Sequence, residues 1–202
     1  MKRGLLIIMS GPAGSGKGTV RKCLMEKSDN FSFSVSATTR APRAEDTEGV
    51  TYYFVSREDF EKKIASGEML EYAEYVGNFY GTPKTPVEKA LDEGRDVILE
   101  IETKGAMAVK EKMPDAVTVM ILPPDGKTLR ARLEGRGTET PDVVEKRMNT
   151  ARDEVLKLDL YDYVVINDNG MSDKAADDIM AIITAEKAKT KRNIGIKDTY
   201  FN

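Results

Sequence analysis

The apolar residues of this chain fall into two kinds of pattern. Leu5-Leu6-Ile7-Ile8-Met9 is an unbroken apolar run, as in a strand buried on both faces of a parallel sheet. Val97-Ile98-Leu99, Ala116 to Leu122 and Tyr163 to Ile166 repeat it, and Ser32 to Ser36 is a weaker fifth strand. Between these runs the apolar positions take helical spacing. Lys17 to Lys27 places Val20, Cys23 and Leu24 on one side. Thr85-Pro86-Val87-Glu88 predicts a helix start, with Thr85 as cap, Pro86 first in the helix and Gly94 at the far end. Ser56-Arg57-Glu58-Asp59 predicts a short helix ending near Gly67. Thr140-Pro141 opens a long helix carrying Val144, Met148, Ala151 and Val155. Ser172 opens the last, with Ala175, Ile179, Ile182 and Ile183 as its stripe.

Strands alternating with helices predict an α/β fold, a five-stranded parallel sheet flanked by helices with right-handed crossovers. One stretch breaks the alternation. Tyr52-Tyr53-Phe54-Val55, a short helix, Leu70 to Val76, a Gly77-Asn78 turn and Phe79-Tyr80 predict a small antiparallel sub-lobe between the second and third main strands. Gly135 to Thr140 is a Gly/Thr-rich insertion between two helices, a loop of the kind that moves.

Composition narrows the chemistry. A chain of 202 residues, 40% apolar and 32% charged, suits one globular domain with sub-lobes. The net charge of −3 argues against broad nucleic-acid binding but permits a local arginine cluster. With no His there is no Ser-His-Asp triad, no Cys-His dyad and no His-ligated zinc. No apolar run approaches the ~20 residues of a membrane span, so no membrane partner is expected. No small-residue cleavage site follows Leu5–Met9, and the lone Cys23 cannot form an internal disulfide, so a cytoplasmic location is expected.

The strongest chemical signal is Gly11-Pro12-Ala13-Gly14-Ser15-Gly16-Lys17-Gly18-Thr19, between a strand and a helix. Glycines let backbone amides turn inward on phosphate oxygens, the helix N-terminus adds its dipole, and Lys17 reaches the outer phosphates. The spacing alone arises by chance in roughly one chain in fifteen of this length. The strand before it, the helix after it, and the added Gly14 and Thr19 make it specific. Gly18 departs from the common motif, which has a Ser or Thr there to ligate Mg²⁺. Thr19 comes one residue late, so magnesium is expected to be held with the nucleotide, partly through water.

Beyond the loop, the chain resembles the guanylate kinases. The matching segments are Ser34-Val35-Ser36-Ala37-Thr38-Thr39-Arg40-Ala41-Pro42-Arg43, Gly67 to Ala73, Gly77-Asn78-Phe79-Tyr80-Gly81-Thr82, Leu99-Glu100-Ile101-Glu102, Arg132 to Thr138, and Tyr161 to Asp168. They run in order from Leu5 to about Lys187. The resemblance implies phosphorylation of GMP by ATP, ATP + GMP ⇌ ADP + GDP. It places ATP on residues 11–19 and, more weakly, on Asn167 and Asp168. It places the GMP phosphate on Arg40, Arg43, Tyr52 and Tyr80. The guanine falls to Ser36, Glu71, Thr82 and Glu102, with Glu100 beside them on the same strand face. It implies that Lys17, Arg136 and Arg147 act on the transferring phosphoryl, with Arg132 as a substitute for either arginine. Bidentate guanidinium forks suit phosphate, and a carboxylate suits the N1–H and N2–H₂ donors of guanine. Glu100 and Glu102 are often Asp in the family, and Lys104 stands where glutamine is common.

The implied architecture is a kinase-like domain over 1–188. Its core is 1–36, 83–134 and 142–188, with a small mixed GMP-binding sub-lobe at 37–82, a lid at 135–141 and a tail at 189–202. Lys189, Lys191 and Arg192 in and beside that tail read as a solvated end or a partner contact. Two rivals remain at this level. One is a guanylate-kinase-like scaffold module that binds peptides, which the intact Lys17 loop opposes. The other is a nucleoside monophosphate kinase of different base preference, which Ser36, Glu71 and Thr82 oppose.

Overall fold

A computed structural model describes residues 2–135, 137 and 140–201. In chain order the elements are β1 (Leu6–Ser10), α1 (Lys17–Glu26), β2 (Phe31–Phe33), β3 (Ala37–Thr38), β4 (Tyr53–Phe54), α2 (Arg57–Ala65), β5 (Met69–Tyr75), β6 (Asn78–Pro83), α3 (Lys84–Asp92), β7 (Asp96–Glu100), α4 (Thr103–Lys112), β8 (Val117–Leu122), α5 (Gly126–Glu134), α6 (Pro141–Val155), β9 (Tyr163–Ile166), α7 (Ser172–Ala188) and α8 (Ile196–Thr199).

The five predicted parallel strands form one sheet in the order β2-β7-β1-β8-β9. Its centre is β1, buried along its whole length. Successive side chains leave a strand on opposite faces, so β1 feeds two cores. Ile7 and Met9 pack with Val20 and Leu24 of α1 and with Ala176, Ile179 and Ile183 of α7. Leu6 and Ile8 pack with Val87 and Leu91 of α3 and with Ala106 and Val109 of α4. Each such side chain contributes roughly 1.5–3 kcal/mol of transfer free energy. Strand β1 lies between β7 on one side and β8 on the other, so the chain winds outward to β2 on one side and to β9 on the other. Doubly wound sheets open their ligand crevice at such a switch point.

The second sheet is mixed, in the order β4-β3-β6-β5. It matches the small mixed sub-lobe expected, and one pairing within it differs. The sequence pattern predicts antiparallel pairing from Tyr52 onward, but the sheet begins at β3, and β3 pairs with β4 in parallel. Two-residue strands carry too little pattern for their direction to be read. Ala37, Phe60 and Met69 form the small core of this sheet, and Phe60 stacks on Phe79 at 5.3 Å. Ser56 caps α2 as predicted, accepting from the Asp59 amide.

Three other local predictions shift. α3 begins at Lys84 with Pro83 as its cap, because β6 runs straight into it and the Lys84 amide is taken by the Glu68 carbonyl. Pro86 is tolerated because first-turn amides have no helical partner. The hairpin between β5 and β6 turns on Val76 and Gly77, both at positive φ, rather than on Gly77-Asn78. Helix α7 is capped at Met171, and Ser172 lies inside it. The start of the tail is held against the body. Arg192 donates to the Asp115 carbonyl at 2.8 Å and pairs with Glu186, as Lys189 does. Lys191 faces Asp115, and Asn193 bonds the Lys187 and Lys189 carbonyls.

Candidate active site

The phosphate loop leaves the end of β1 at the switch point. Gly11, Gly14 and Gly16 all have positive φ, which bulkier residues rarely adopt. A side chain at Gly11 would meet the Ile121 carbonyl at 2.2 Å, and one at Gly16 would meet Asn167 Nδ2 at 2.3 Å. Gly16 caps α1 without a side-chain bond, so no side chain covers the first amides of that helix. Lys17 Nζ is folded over the loop, donating to the carbonyls of Gly11 at 2.5 Å and Pro12 at 3.1 Å. The hydroxyls of Ser10 and Ser15 are buried with no hydrogen-bond partner among the described residues. Ala13 and Gly14 form the loop's turn, closed by the Ser15 amide on the carbonyl of buried Pro12, while Gly18 and Thr19 are exposed on the first turn of α1.

Two residues hold this loop from across the fold. Asn167 is buried at the end of β9. Its Nδ2 donates to the Ser15 carbonyl at 2.9 Å, and its Oδ1 accepts from the Ser172 hydroxyl. Its side-chain amide thus braces the loop. Arg132 on α5 joins it, donating to the carbonyls of Ser15 at 3.3 Å and Asn167 at 2.8 Å and to Asn169 Oδ1. The clamp joins residues more than a hundred positions apart, so nothing local in the sequence announces it.

Between β3 and β4 the fold gathers cations and phenols. Arg40 lies 5.4 Å from the Tyr52 ring centre, and the rings of Tyr52 and Tyr80 meet edge to face at 5.9 Å. Asp46, which the sequence reading missed, fixes this group. It accepts from Arg40 Nη2 at 2.8 Å and from the Arg43 amide at 2.7 Å. The Arg43 amide, with the Arg40 guanidinium, holds the Asp46 carboxyl below its usual range. The Arg43 side chain itself is exposed. A proline followed closely by an aspartate, Pro42 to Asp46, is the turn signal that would have found it.

On the same sheet, β5 and β6 set Glu71 opposite Thr82. The Thr82 hydroxyl donates to Glu71 Oε1 at 2.6 Å. Burial pushes the Glu71 carboxyl up, and the nearby Glu102 adds to this, while Thr82 and Lys112 oppose it. Gly105 makes room on the other side, since a side chain there would meet Glu71 Oε2 at 3.1 Å. Ser36 lies just before β3, half-buried, with its carbonyl taken by the Tyr53 amide.

Glu100 and Glu102 do not share a strand face as predicted. Strand β7 ends at Glu100, and Glu102 is already the cap of α4, a helix whose few apolar positions hid it in the sequence. Glu100 faces the phosphate loop: it pairs with Arg21 at 3.4 Å, and its Oε1 lies 4.0 Å from where a Gly18 side chain would start. Glu102 stays near Glu71. Arg147 is half-buried on α6, and Arg136 lies outside the described residues.

A phosphate loop at the switch point therefore shares the molecule with a second sheet bearing an arginine–tyrosine group and a hydroxyl-bound carboxylate. The family model for guanylate kinase matches residues 3–186. A guanylate kinase of Halalkalibacterium halodurans is 52% identical over 193 residues, covering 96% of this chain and 94% of its own. One of Enterococcus faecalis is 52% identical over 195 residues, covering 96% and 95%. The crystal structure of guanylate kinase from Anaplasma phagocytophilum superposes with a TM-score of 0.75 at 36% identity, covering 98% of this chain and 94% of that one. With the family model matched nearly end to end and half the residues shared with these relatives, the chain belongs to the guanylate kinase family.

Proposed function

We infer that this protein catalyses ATP + GMP ⇌ ADP + GDP with its donor at the phosphate loop and its acceptor on the second sheet. In this reading Gly11, Pro12, Ala13, Gly14, Ser15, Gly16, Lys17, Gly18 and Thr19 hold the ATP phosphates through backbone amides and the ammonium. Arg40, Tyr52 and Tyr80 hold the GMP phosphate, with Arg43 reaching in from the exposed loop. Ser36, Glu71, Thr82 and Glu102 read guanine. Residues 37–82 work as the acceptor lobe and 135–141 as the lid that brings Arg136 and Arg147 to the transferring group. The tail 189–202 is held against the body by the Arg192 and Lys189 contacts. A cytoplasmic setting belongs to the same reading, supported by the single free Cys23.

The oxygen donors near Lys17 suit a hard cation such as Mg²⁺. Glu100 points at the loop, Ser15 offers an unpartnered hydroxyl, and Gly18 leaves the space beside Glu100 open. Among the described residues no cluster of carboxylates or imidazoles could enclose a metal by itself, which suits an ion carried on nucleotide phosphates. Bound there, magnesium would neutralise charge on the β- and γ-phosphates. Phosphoryl transfer has a loose transition state, so the protein's share of the work is positioning and charge. Lys17 must exchange the Gly11 and Pro12 carbonyls for phosphate oxygens. Arg40 arrives already oriented by Asp46. No proton-transfer histidine is required.

The observation that carries the reading is the Thr82–Glu71 pair. An ionised Glu71 accepts from both N1–H and N2–H₂ of guanine, and adenine offers neither in that arrangement. Calorimetric titration of the metal-free protein tests it. GMP should bind one site and AMP should not, and Glu71→Gln should weaken GMP by roughly 10²-fold, as expected for losing charge-assisted bonds of ~1.5–3 kcal/mol each. Equal binding of GMP and AMP would contradict it.

A further inference from the structure

One half-buried carboxylate near the site has no part in the scheme above. Glu154 stands on the last turn of α6. It follows Val144, Met148 and Ala151 at spacings of a single helix stripe, and those three pack on Leu129 and Leu133 of α5. Where the stripe runs past α5, it carries a carboxylate rather than an apolar residue. That carboxylate reaches the first turn of α4, where Thr103 Oγ1 lies 3.4 Å from Glu154 Oε1.

Its surroundings come from several elements. Lys17 of the phosphate loop and Lys157 favour its ionised form, and Glu102 opposes it. Tyr161, ahead of β9, brings a buried hydroxyl close to Ser10 and Thr103. Burial raises the Glu154 carboxyl above its ordinary value. Keeping a half-buried acid where nucleotide phosphates must gather costs stability and repels the ligand. A helix surface residue would not bond Thr103 while feeling the charges of both Lys17 and Glu102. Lys17 belongs to the phosphate loop and Glu102 to the cap of α4, and Glu154 stands on the helix that follows the insertion at 135–141.

We propose that Glu154 is a positioning residue for phosphoryl transfer, holding the Thr103 hydroxyl from the end of α6 and setting its negative charge on the Lys17 side of the site. The proposal rests on the assignment of Lys17 to the donor phosphates. Glu154 touches neither substrate in this account. It acts through Lys17 and Thr103, so its loss should slow the transfer step more than it weakens binding.

Steady-state kinetics of the full chain with Glu154→Gln, Glu154→Ala and Glu154→Asp, alongside melting curves, test this. Glu154→Gln should melt within about 3 °C of the parent, a shift worth about 1 kcal/mol in a protein of this size. Its kcat should fall about 10-fold while KM for ATP and for GMP each move less than about threefold. Glu154→Asp should recover part of the loss. The acid limb of the kcat–pH profile should also shift or vanish in Glu154→Gln, because the titrating group among Lys17, Glu102, Lys157 and Tyr161 has been removed. A kcat within about twofold of the parent in both Gln and Ala variants would overturn the proposal. So would a kcat loss with an unchanged pH profile and a melting temperature lowered in step, the behaviour of a merely structural residue. The parent protein separates the two readings: an inactive parent defeats the site assignment, while an active parent with normal variants defeats only the role of Glu154.

Discussion

Glu71 shows how one side chain's environment can set substrate choice. Burial has moved its carboxyl above the ordinary 4.5, and guanine would be bound by the ionised form. The sign follows directly. Above the raised value the carboxylate is ready and KM for GMP is lowest. As pH falls through that value, protonation removes an acceptor and KM for GMP rises, while KM for ATP stays level. The same burial makes the free protein's stability move the other way, since a neutral carboxyl loses less on leaving water. Glu71→Gln should therefore melt no lower than the parent at neutral pH while binding GMP worse. A variant that lost both together would show that Glu71 supports the fold. Asp46 makes the complementary case, with its carboxyl held low by the Arg43 amide and Arg40. Asp46→Ala should leave Arg40 unaligned and raise KM for GMP on the order of 10-fold with kcat less affected, checked by initial rates at saturating ATP. An unchanged KM would mean that Arg40 finds phosphate without help.

At the scale of elements, the long apolar strands and the loop between β1 and α1 were legible because their signals are local. A strand buried on both faces reads as a run, and a phosphate loop needs its glycines at fixed positions. The site's supports were not legible. Asp46, Asn167 and Arg132 act across turns or between distant strands, and α4 was missed because Thr103, Lys104 and Gly105 open it without an apolar stripe. Glu100 and Glu102 were read on one strand face because alternation was counted past the end of β7. Asn167 gives this scale its prediction. The Ser15 carbonyl accepts its amide, and Gly16 has no side chain because Asn167 fills that space. Asn167→Ala should cost about 1–3 kcal/mol, since a buried carbonyl loses a donor. It should also raise KM for ATP more than KM for GMP, as the loop loses its brace. Equal effects on both substrates would show that the brace serves the whole sheet.

The whole molecule places its phosphate loop on the parallel sheet and its arginine–tyrosine group on the mixed sheet, joined at residues 34–36 and by the direct run of β6 into α3. Arg147 stands on α6, beyond the insertion at 135–141. Such an arrangement works best if the parts approach when both substrates are bound, excluding water and delivering arginine charge to the phosphates. Small-angle scattering should show a smaller radius of gyration with GMP plus a non-hydrolysable ATP analogue than with either alone. No compaction at saturation would mean that the site is complete as it stands. The central claim, that this molecule moves a phosphoryl group from ATP to GMP and chooses its acceptor by the base, has a more direct test. A coupled ADP-release assay with GMP, AMP, CMP and UMP as acceptors should give kcat/KM for GMP at least about 10³-fold above the other three, as expected when a wrong base strands a buried carboxylate. Comparable rates with AMP or a pyrimidine nucleotide, or no ADP released with GMP, would contradict it.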